Sequence, residues 1–289
     1  MNKIGESELI LNPDGSVFHL HLKPEDIAGT IILVGDQGRV DMVSSMFDKV
    51  EVKKSNREFV THTGTYKGKR ISVLSTGIGT DNIDIVVNEL DALVNIDLNE
   101  RVATKIHTTL NLIRIGTSGA LQQDIQVDTP VATQTSIGFD GLLNFYEGRD
   151  KMGNSDIESA FIEHTNWNAL LPRPYFADAS AELLNKIAFD MRKGITISAP
   201  GFYGPQGRIL RLNTVDNGLN EKISNFEFNG RKITNFEMES SALSGLSTLL
   251  GHNALTICNI IANRLRKEYS SDYKIAVKKL VETVLNRLV

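Results

Sequence analysis

Apolar residues in this chain come in short unbroken runs separated by stretches of helical spacing. Thr30-Ile31-Ile32-Leu33-Val34 is one run, Leu112-Ile113-Arg114-Ile115 a second, and residues 255–262 a third. Runs of this length, bounded by glycine or polar turns, predict strands buried on both faces. Residues 59–66 and 70–75 read as two further strands joined at Lys67-Gly68, residues 195–198 as another, and residues 16–22 alternate like a half-buried strand. Between the strands, Val40, Val43 and Phe47 fall at helical spacing, a helix is predicted to start near Asp81, and residues 181–191 suit another. Met238, Ala242, Leu246 and Leu249 share one helical face that ends at Gly251, a natural C-cap. Val277, Leu280, Val281, Val284 and Leu288 mark an amphipathic C-terminal helix. Gly116-Thr117-Ser118-Gly119 is expected to break the strand before it. Residues 1–15 read as a polar leader, and residues 141–176, which lack periodicity, as an insertion or long active-site loop. Strands alternating with helices predict one α/β domain over residues 1–289, with a mostly parallel or mixed sheet.

Composition narrows the function classes. With 289 residues, 41% apolar and 23% charged, the chain can bury a large core. A net charge of −4 gives no footing for nucleic acid or an anionic membrane surface. The single Cys258 excludes a disulfide framework and fits a reducing compartment. The first residues lack the apolar core of a secretory signal, and no apolar run approaches the ~20 residues of a membrane helix. A cytoplasmic protein is expected, with neither nucleic acid nor membrane as partner.

Two distant stretches carry complementary chemistry. Gly201-Phe202-Tyr203-Gly204-Pro205-Gln206-Gly207-Arg208 places an amide and a guanidinium two residues apart on a stiff loop, a pair able to read the polar edge of a planar base. Asn235-Phe236-Glu237-Met238-Glu239-Ser240 places two carboxylates at a predicted strand end, able to grip vicinal hydroxyls. Base plus sugar means a nucleoside. Gly35-Asp36-Gln37-Gly38-Arg39 offers backbone N–H groups and an arginine to an anion, or is a tight turn with a solvated arginine. Arg114, inside an Ile/Leu strand, is costly unless paired or bound: it meets either an anion or an internal carboxylate. Arg57, beside Glu58, reads on its own as half of a surface ion pair. Thr76-Gly77-Ile78-Gly79-Thr80 lacks the spacing and the downstream acidic residue of a dinucleotide site. His19 and His21 share a face of their predicted strand but lack a third metal ligand, so packing or ligand contact is the expected role. Trp167 reads as packing or loop anchoring, Lys278 and Lys279 as a solvated helix face.

These pieces, in this order, resemble the nucleoside phosphorylases, and most closely the uridine phosphorylases. The resemblance runs from residue 16 to the C-terminal helix. Val34-Gly35-Asp36-Gln37-Gly38-Arg39-Val40 is similar to the family's Gly-Asp-Pro-x-Arg-Val turn, with Gln37 in place of proline. Asn56-Arg57-Glu58-Phe59 is similar to its His-Arg-Glu-Phe. Ser75-Thr76-Gly77-Ile78-Gly79, Arg114-Ile115-Gly116-Thr117-Ser118-Gly119-Ala120 (Ser118 for a threonine), Glu237-Met238-Glu239-Ser240 and Asn263-Arg264 complete the set.

The resemblance implies a single-domain, three-layer α/β/α fold around a mixed sheet. It implies that Gly35, Arg39, Arg114 and Thr117 bind phosphate, joined by Arg57 from a neighbouring subunit. Ribose would be held by Thr117, Met238, Glu239 and the neighbour's His19. The base would lie among Ser118, Gly119, Phe202, Gln206 and Arg208. Arg208, Gln206, Glu239 and Arg114 would carry catalysis. Glu58 and Ser75 match positions that hold a monovalent cation (K+) at a subunit interface in some members. Inorganic phosphate is then the co-substrate, no organic cofactor or catalytic metal is required, and a homo-oligomer is implied, with a dimer as the minimum unit and a hexamer as the larger alternative. Purine-type members carry an aspartate after the late strand, where this chain has Ile261-Ala262-Asn263-Arg264. That absence favours a pyrimidine nucleoside: uridine, with deoxyuridine or thymidine beside it. A purine or broad-specificity phosphorylase is the rival enzyme. A non-catalytic nucleoside-binding protein is the rival class, and it predicts loss of the arginines that are all present here.

Overall fold

The computed structural model describes residues 3–153 and 155–289. The first apolar run is β1 (Thr30–Val34), buried at all five positions, and it feeds α1 (Gly38–Ser44), which buries Val40 and Val43. Strands β2 (Lys49–Asn56), β3 (Phe59–Tyr66) and β4 (Lys69–Ser75) form an antiparallel meander. Sequence patterning overlooks β2 because it is an edge strand: its charged residues alternate with half-buried ones, and its lysines blunt the open edge. Helix α2 (Thr80–Asn95) leads through a small hairpin, β5 (Ile96–Asp97) with β6 (Val102–Ala103), into β7 (Asn111–Ala120). There follow β8 (Pro130–Gly138), α3 (Ser155–Thr165), β9 (Tyr175–Asp178), α4 (Ala181–Ile187), β10 (Arg192–Ser198), α5 (Leu219–Asn225), β11 (Glu227–Phe228) and β12 (Arg231–Glu237). The chain ends with α6 (Ser240–Leu250), β13 (Asn253–Asn263), β14 (Glu268–Tyr269) and α7 (Tyr273–Leu288).

The sheet runs β11-β12-β10-β8-β13-β7-β1-β4-β3-β2, and β12 also pairs with β7, closing five strands into a barrel. Pairing is mixed: β1 is parallel to β4 and β7, and β13 is parallel to β7 but antiparallel to β8. Because side chains alternate across a strand, each run serves two cores. Ile32, Val34, Ile113, Ile115, Leu255 and Ile257 pack with α1, α4 and α7. Ile31, Leu33, Leu112 and Ala254 pack on the other side with α2 and α6. The expected α/β/α layering around a mixed sheet is the architecture observed.

Three expectations are corrected. Residues 16–22 are not a strand: Val17 makes one isolated bridge with Leu11, and His21 is left-handed at φ 55°. The backbone N–H groups of His19 and Leu20 donate to the Glu89 carboxylate of α2 (2.9 and 2.8 Å), so Val17, Leu20 and Leu22 are buried by a pinned turn and not by a pleat. His19 then faces Glu89 and His21 faces Asp14, so the two imidazoles do not share a face.

Secondly, β7 passes unbroken through Gly116-Thr117-Ser118-Gly119. A Cβ at Gly116 would meet Arg114 Nη1 at 2.3 Å and Cys258 Sγ at 3.0 Å, so this glycine makes room for a guanidinium and does not end a strand. Thirdly, the described part of 141–176 is not a long loop. It holds two short 3-10 turns, α3 and the start of β9, and Phe161 joins Phe139, Trp167, Phe176 and Phe226 in an aromatic cluster. Trp167 anchors it, donating from Nε1 to the Pro172 carbonyl (3.0 Å).

Candidate active site

The segments at the carboxyl ends of β1, β4, β7, β10, β12 and β13 meet around a cavity of about 840 Å³. Ligands of α/β sheets characteristically sit beyond these strand ends. Gly35, Arg39, Glu58, Arg114, Thr117, Ser118, Gly119, Phe202, Gln206, Arg208, Met238 and Glu239 all line it. The described part of 141–176 contributes nothing to it.

At one end the loop after β10 folds into a 3-10 turn, Gly204–Gln206, closed by Gly207 in the left-handed region (φ 68°). Gln206 is buried, and its backbone carbonyl accepts from Asn220 Nδ2 (3.1 Å). Arg208 Nη1 donates to Gln206 Oε1 (2.6 Å) and to the Phe202 carbonyl (2.5 Å), and the guanidinium lies 3.7 Å from the Phe202 ring centroid. Arg208 thereby fixes the Gln206 amide with its oxygen toward the arginine and its NH2 turned away. The edge reads donor (Nε2), acceptor (Oε1), donor (guanidinium). Burial, then repulsion from Arg264, pulls the Arg208 guanidinium down to about 10.

The two carboxylates of Glu237-Met238-Glu239 separate in role. Glu237 ends β12 at the start of α6, where its oxygens accept from the N–H groups of Glu239 and Ser240 (3.0 Å each) and from the hydroxyls of Ser198 (2.5 Å) and Ser240 (2.7 Å). It also pairs with Arg114 Nη1 at 3.2 Å. Its acceptor capacity is filled, which corrects the expectation that both carboxylates grip a sugar. Glu239 is tethered more lightly: Oε1 accepts from Gly79 N (2.8 Å), and Oε2 pairs with Arg114 Nη2. The internal-carboxylate reading of Arg114 is therefore the one observed. Burial alone would lower its pKa, but Glu239 and Glu237 outweigh this and keep it firmly charged, while Cys258 Sγ lies 3.7 Å from Nη1. Burial pushes the Glu239 carboxyl up against the pull of Arg114, and it pushes the Cys258 thiol up to about 12.

Arg39, at the other end, has no carboxylate partner among the described residues. Burial lowers its pKa, and repulsion from Arg114 lowers it further. Asp36, the carboxylate whose charge it feels, turns Oδ1 back onto Gly38 N (2.9 Å). A half-buried cation facing a second cation across a cavity is a site for an anion.

Three of the proposed residues stay outside the cavity of their own chain. Arg57 (φ 52°) is exposed in the β2–β3 turn; it makes no ion pair with Glu58 and lies 5.8 Å from the Phe18 ring centroid. His19 is beside it, its carbonyl accepting from Asn56 Nδ2 (2.8 Å). Gln37, in the place of the proline, donates from Nε2 to the Arg57 carbonyl (2.9 Å) and so ties this turn to the β1–α1 turn. Ser75 is buried, donating to the Glu58 carbonyl (2.7 Å) and accepting from Val60 N (2.8 Å). Residues missed from sequence are Ile78, Asn82, Ile261 and Tyr269 on the cavity wall, and Arg264, whose charge is felt by Arg208. Arg264 carried a signal in the Asn263-Arg264 pair, and Ile78 one in the Ser75-Thr76-Gly77-Ile78-Gly79 motif.

Comparison with known proteins bears on the same cavity. The phosphorylase superfamily model matches residues 30–289. The chain belongs to that family. Among its relatives are a uridine phosphorylase of Thermococcus kodakarensis, 29% identical over 93% of this chain and 85% of that protein, and a DeoD-type purine nucleoside phosphorylase of Alkaliphilus metalliredigens, 31% identical over 84% and 85%. A crystal structure of a Trypanosoma brucei nucleoside phosphorylase with uridine phosphorylase activity superposes with a TM-score of 0.88 at 29% identity, covering 97% of this chain and 99% of that one. Among the described residues, no helix is long and apolar enough to cross a membrane.

Proposed function

We propose that this phosphorylase catalyses reversible phosphorolysis of uridine to uracil and ribose 1-phosphate, with deoxyuridine and thymidine as further substrates. The observation that carries this reading is the 2.6 Å bond from Arg208 to Gln206 Oε1, which fixes a donor–acceptor–donor row. Uracil presents the complement: a carbonyl, an imide N–H and a second carbonyl. Inosine meets only two of its three positions, with its 6-carbonyl and N1–H, and offers C2–H where uracil has a second carbonyl. The stretch where purine enzymes place a carboxylate, 261–264, has none here, and the amide of Asn263 within it is already satisfied: it donates to Gln122 O and Ile125 O (2.8 Å each) and accepts from Leu265 N (3.0 Å) and Arg266 N (3.2 Å). The purine-type relative at 31% identity keeps that alternative in the assay but gains nothing from the site.

In this reading the glycosidic bond lengthens first, giving a ribose with oxocarbenium character and a base carrying negative charge. Gln206 and Arg208 hold the departing anion with donors already in place. Glu239, the lightly tethered carboxylate, accepts the ribose hydroxyls, with Thr117 and Met238 beside it. Arg39, with the backbone of Gly35, holds phosphate against the anomeric carbon, and Arg114, its Nη1 and Nη2 paired with Glu237 and Glu239, adds its positive charge beside it, so attack is local. Ser118 and Gly119 floor the base pocket.

A homodimer as the minimum unit is part of the proposal, because Arg57, exposed in the β2–β3 turn, and the half-buried His19 beside it both lie outside their own cavity. A monovalent cation at Glu58 and Ser75 belongs to the same interface: the Glu58 carboxylate and one lone pair of Ser75 are available, and a second copy would supply the other oxygens. The reaction is tested by following uracil release from uridine with and without inorganic phosphate. Strict dependence on phosphate is expected; release in its absence would mean hydrolysis and would overturn the assignment.

A further inference from the structure

A second cavity, of about 440 Å³, lies against the outer side of the loop that carries Gln206 and Arg208 and shares Gly204, Pro205 and Gly207 with it. Its walls are mainly apolar, built from Trp167, Phe139, Leu171, Pro172, Pro205 and Leu219, with asparagine and aspartate side chains between them. None of its lining residues is Lys, Arg or His. Its two carboxylates are already satisfied. Asp140 accepts from Leu142 N (2.8 Å), Tyr175 Oη (2.9 Å) and Ser241 Oγ (3.2 Å), and Asp216 pairs with Lys222 (2.7 Å). Such a lining repels anions; Asp216 is neutralised by Lys222, Asp140 has its oxygens bonded to neutral donors, and the apolar walls suit a neutral ring. The Trp167 indole N–H is bonded to Pro172, so its face, and not its polar edge, is what it offers.

We propose that this cavity is a binding site for a neutral one- or two-ring aromatic molecule, and that its occupancy tunes the base-reading loop. The connection is short. Asn220 lines the cavity and donates to the Gln206 carbonyl (3.1 Å). A Cβ on Gly207 would lie 2.2 Å from Asn220 Nδ2, so the loop is pressed against this side chain without slack. A ring filling the cavity backs the loop from behind and holds Gln206 in its base-reading position, which lowers the ordering cost of substrate binding. The binding half stands alone; the tuning half rests on the proposed uridine phosphorolysis.

Trp167 is the chain's single tryptophan and reports occupancy directly. The experiment titrates the whole protein with benzyl alcohol, with benzoate and inorganic phosphate as charged controls, reading Trp167 emission and then KM and kcat for uridine. The expected result is a saturable emission change with benzyl alcohol and with neither anion, together with a KM for uridine lowered about threefold at unchanged kcat. In Asn220→Ala the emission change persists and the KM shift disappears. Several results would overturn the proposal. One is the absence of saturable change with benzyl alcohol; another is an equal response to benzoate. Competitive inhibition retained in Asn220→Ala would place the probe in the catalytic cavity. A probe-independent emission change with protein concentration would mean that a second copy covers the cavity. If the emission saturates but uridine is not turned over, the binding site stands and the functional reading fails.

Discussion

Arg208 and Gln206 are joined side chain to side chain, Nη1 to Oε1, at 2.6 Å. The amide therefore cannot present its oxygen elsewhere while the guanidinium is in place, and the two residues read a base as one unit. Arg208→Ala and Gln206→Ala are each expected to lower kcat/KM on uridine by about 10²-fold, and the double variant by little more than either alone. Unchanged melting temperatures would show that the loss is not unfolding. Additive losses in the double-mutant cycle would show that the pair does not act as a unit.

Glu237 and Glu239, two residues apart, are expected to fail in different ways. Glu237→Ala leaves two N–H groups of α6 unsatisfied and half of the Arg114 pairing gone, and should cost about 3 kcal/mol of stability in denaturant melts. Glu239→Gln also weakens the Arg114 pairing but keeps an acceptor for Gly79 N, so it should cost less stability than Glu237→Ala, and it should lose turnover on uridine more than on 2′-deoxyuridine. Equal losses on the two nucleosides would remove the 2′-hydroxyl contact from the account.

Sequence reached some of this and missed the rest for identifiable reasons. The buried runs at Thr30–Val34 and 112–115, and the C-terminal helix, were legible because both faces or one full stripe of each are covered. The two charged stretches were legible as a pair because amide, guanidinium and carboxylates in such positions have few packing uses. Gly116 misled because a glycine that clears space for Arg114 and one that breaks a strand look alike in one dimension. The separation of Glu237 from Glu239 was invisible, since it depends on Ser198, brought by β10 from some forty positions away. Residues 16–22 alternate like a strand, yet Glu89, across the fold, turns them.

The depressed Arg208 guanidinium, near 10, sets a pH limit. Its charge is present below that value and lost as pH rises through it, so kcat/KM on uridine should fall on the alkaline side. Arg264→Ala removes one of the two causes, the neighbouring positive charge, and should move that limb to higher pH. A limb that stays put in Arg264→Ala belongs to the substrate's own titration and not to Arg208.

Sites shared between two copies, as proposed, make a mixing prediction. Arg57→Ala and Glu239→Gln, each nearly inactive alone, should regain about a quarter of wild-type activity when unfolded and refolded together, because half of the dimers are mixed and each mixed dimer rebuilds one intact site. No recovery would place Arg57 outside the partner's active site.

The amide–guanidinium row makes its sharpest claim about one atom of the substrate, the imide N–H that meets Gln206 Oε1. The most direct measurement is therefore phosphate-dependent turnover of uridine beside 3-methyluridine, in which that hydrogen is replaced by a methyl group. At least about a hundredfold lower kcat/KM for the methylated nucleoside is predicted, since a buried acceptor is left unpaired and crowded. Comparable turnover of the two would contradict the assignment of this loop as the reader of the base.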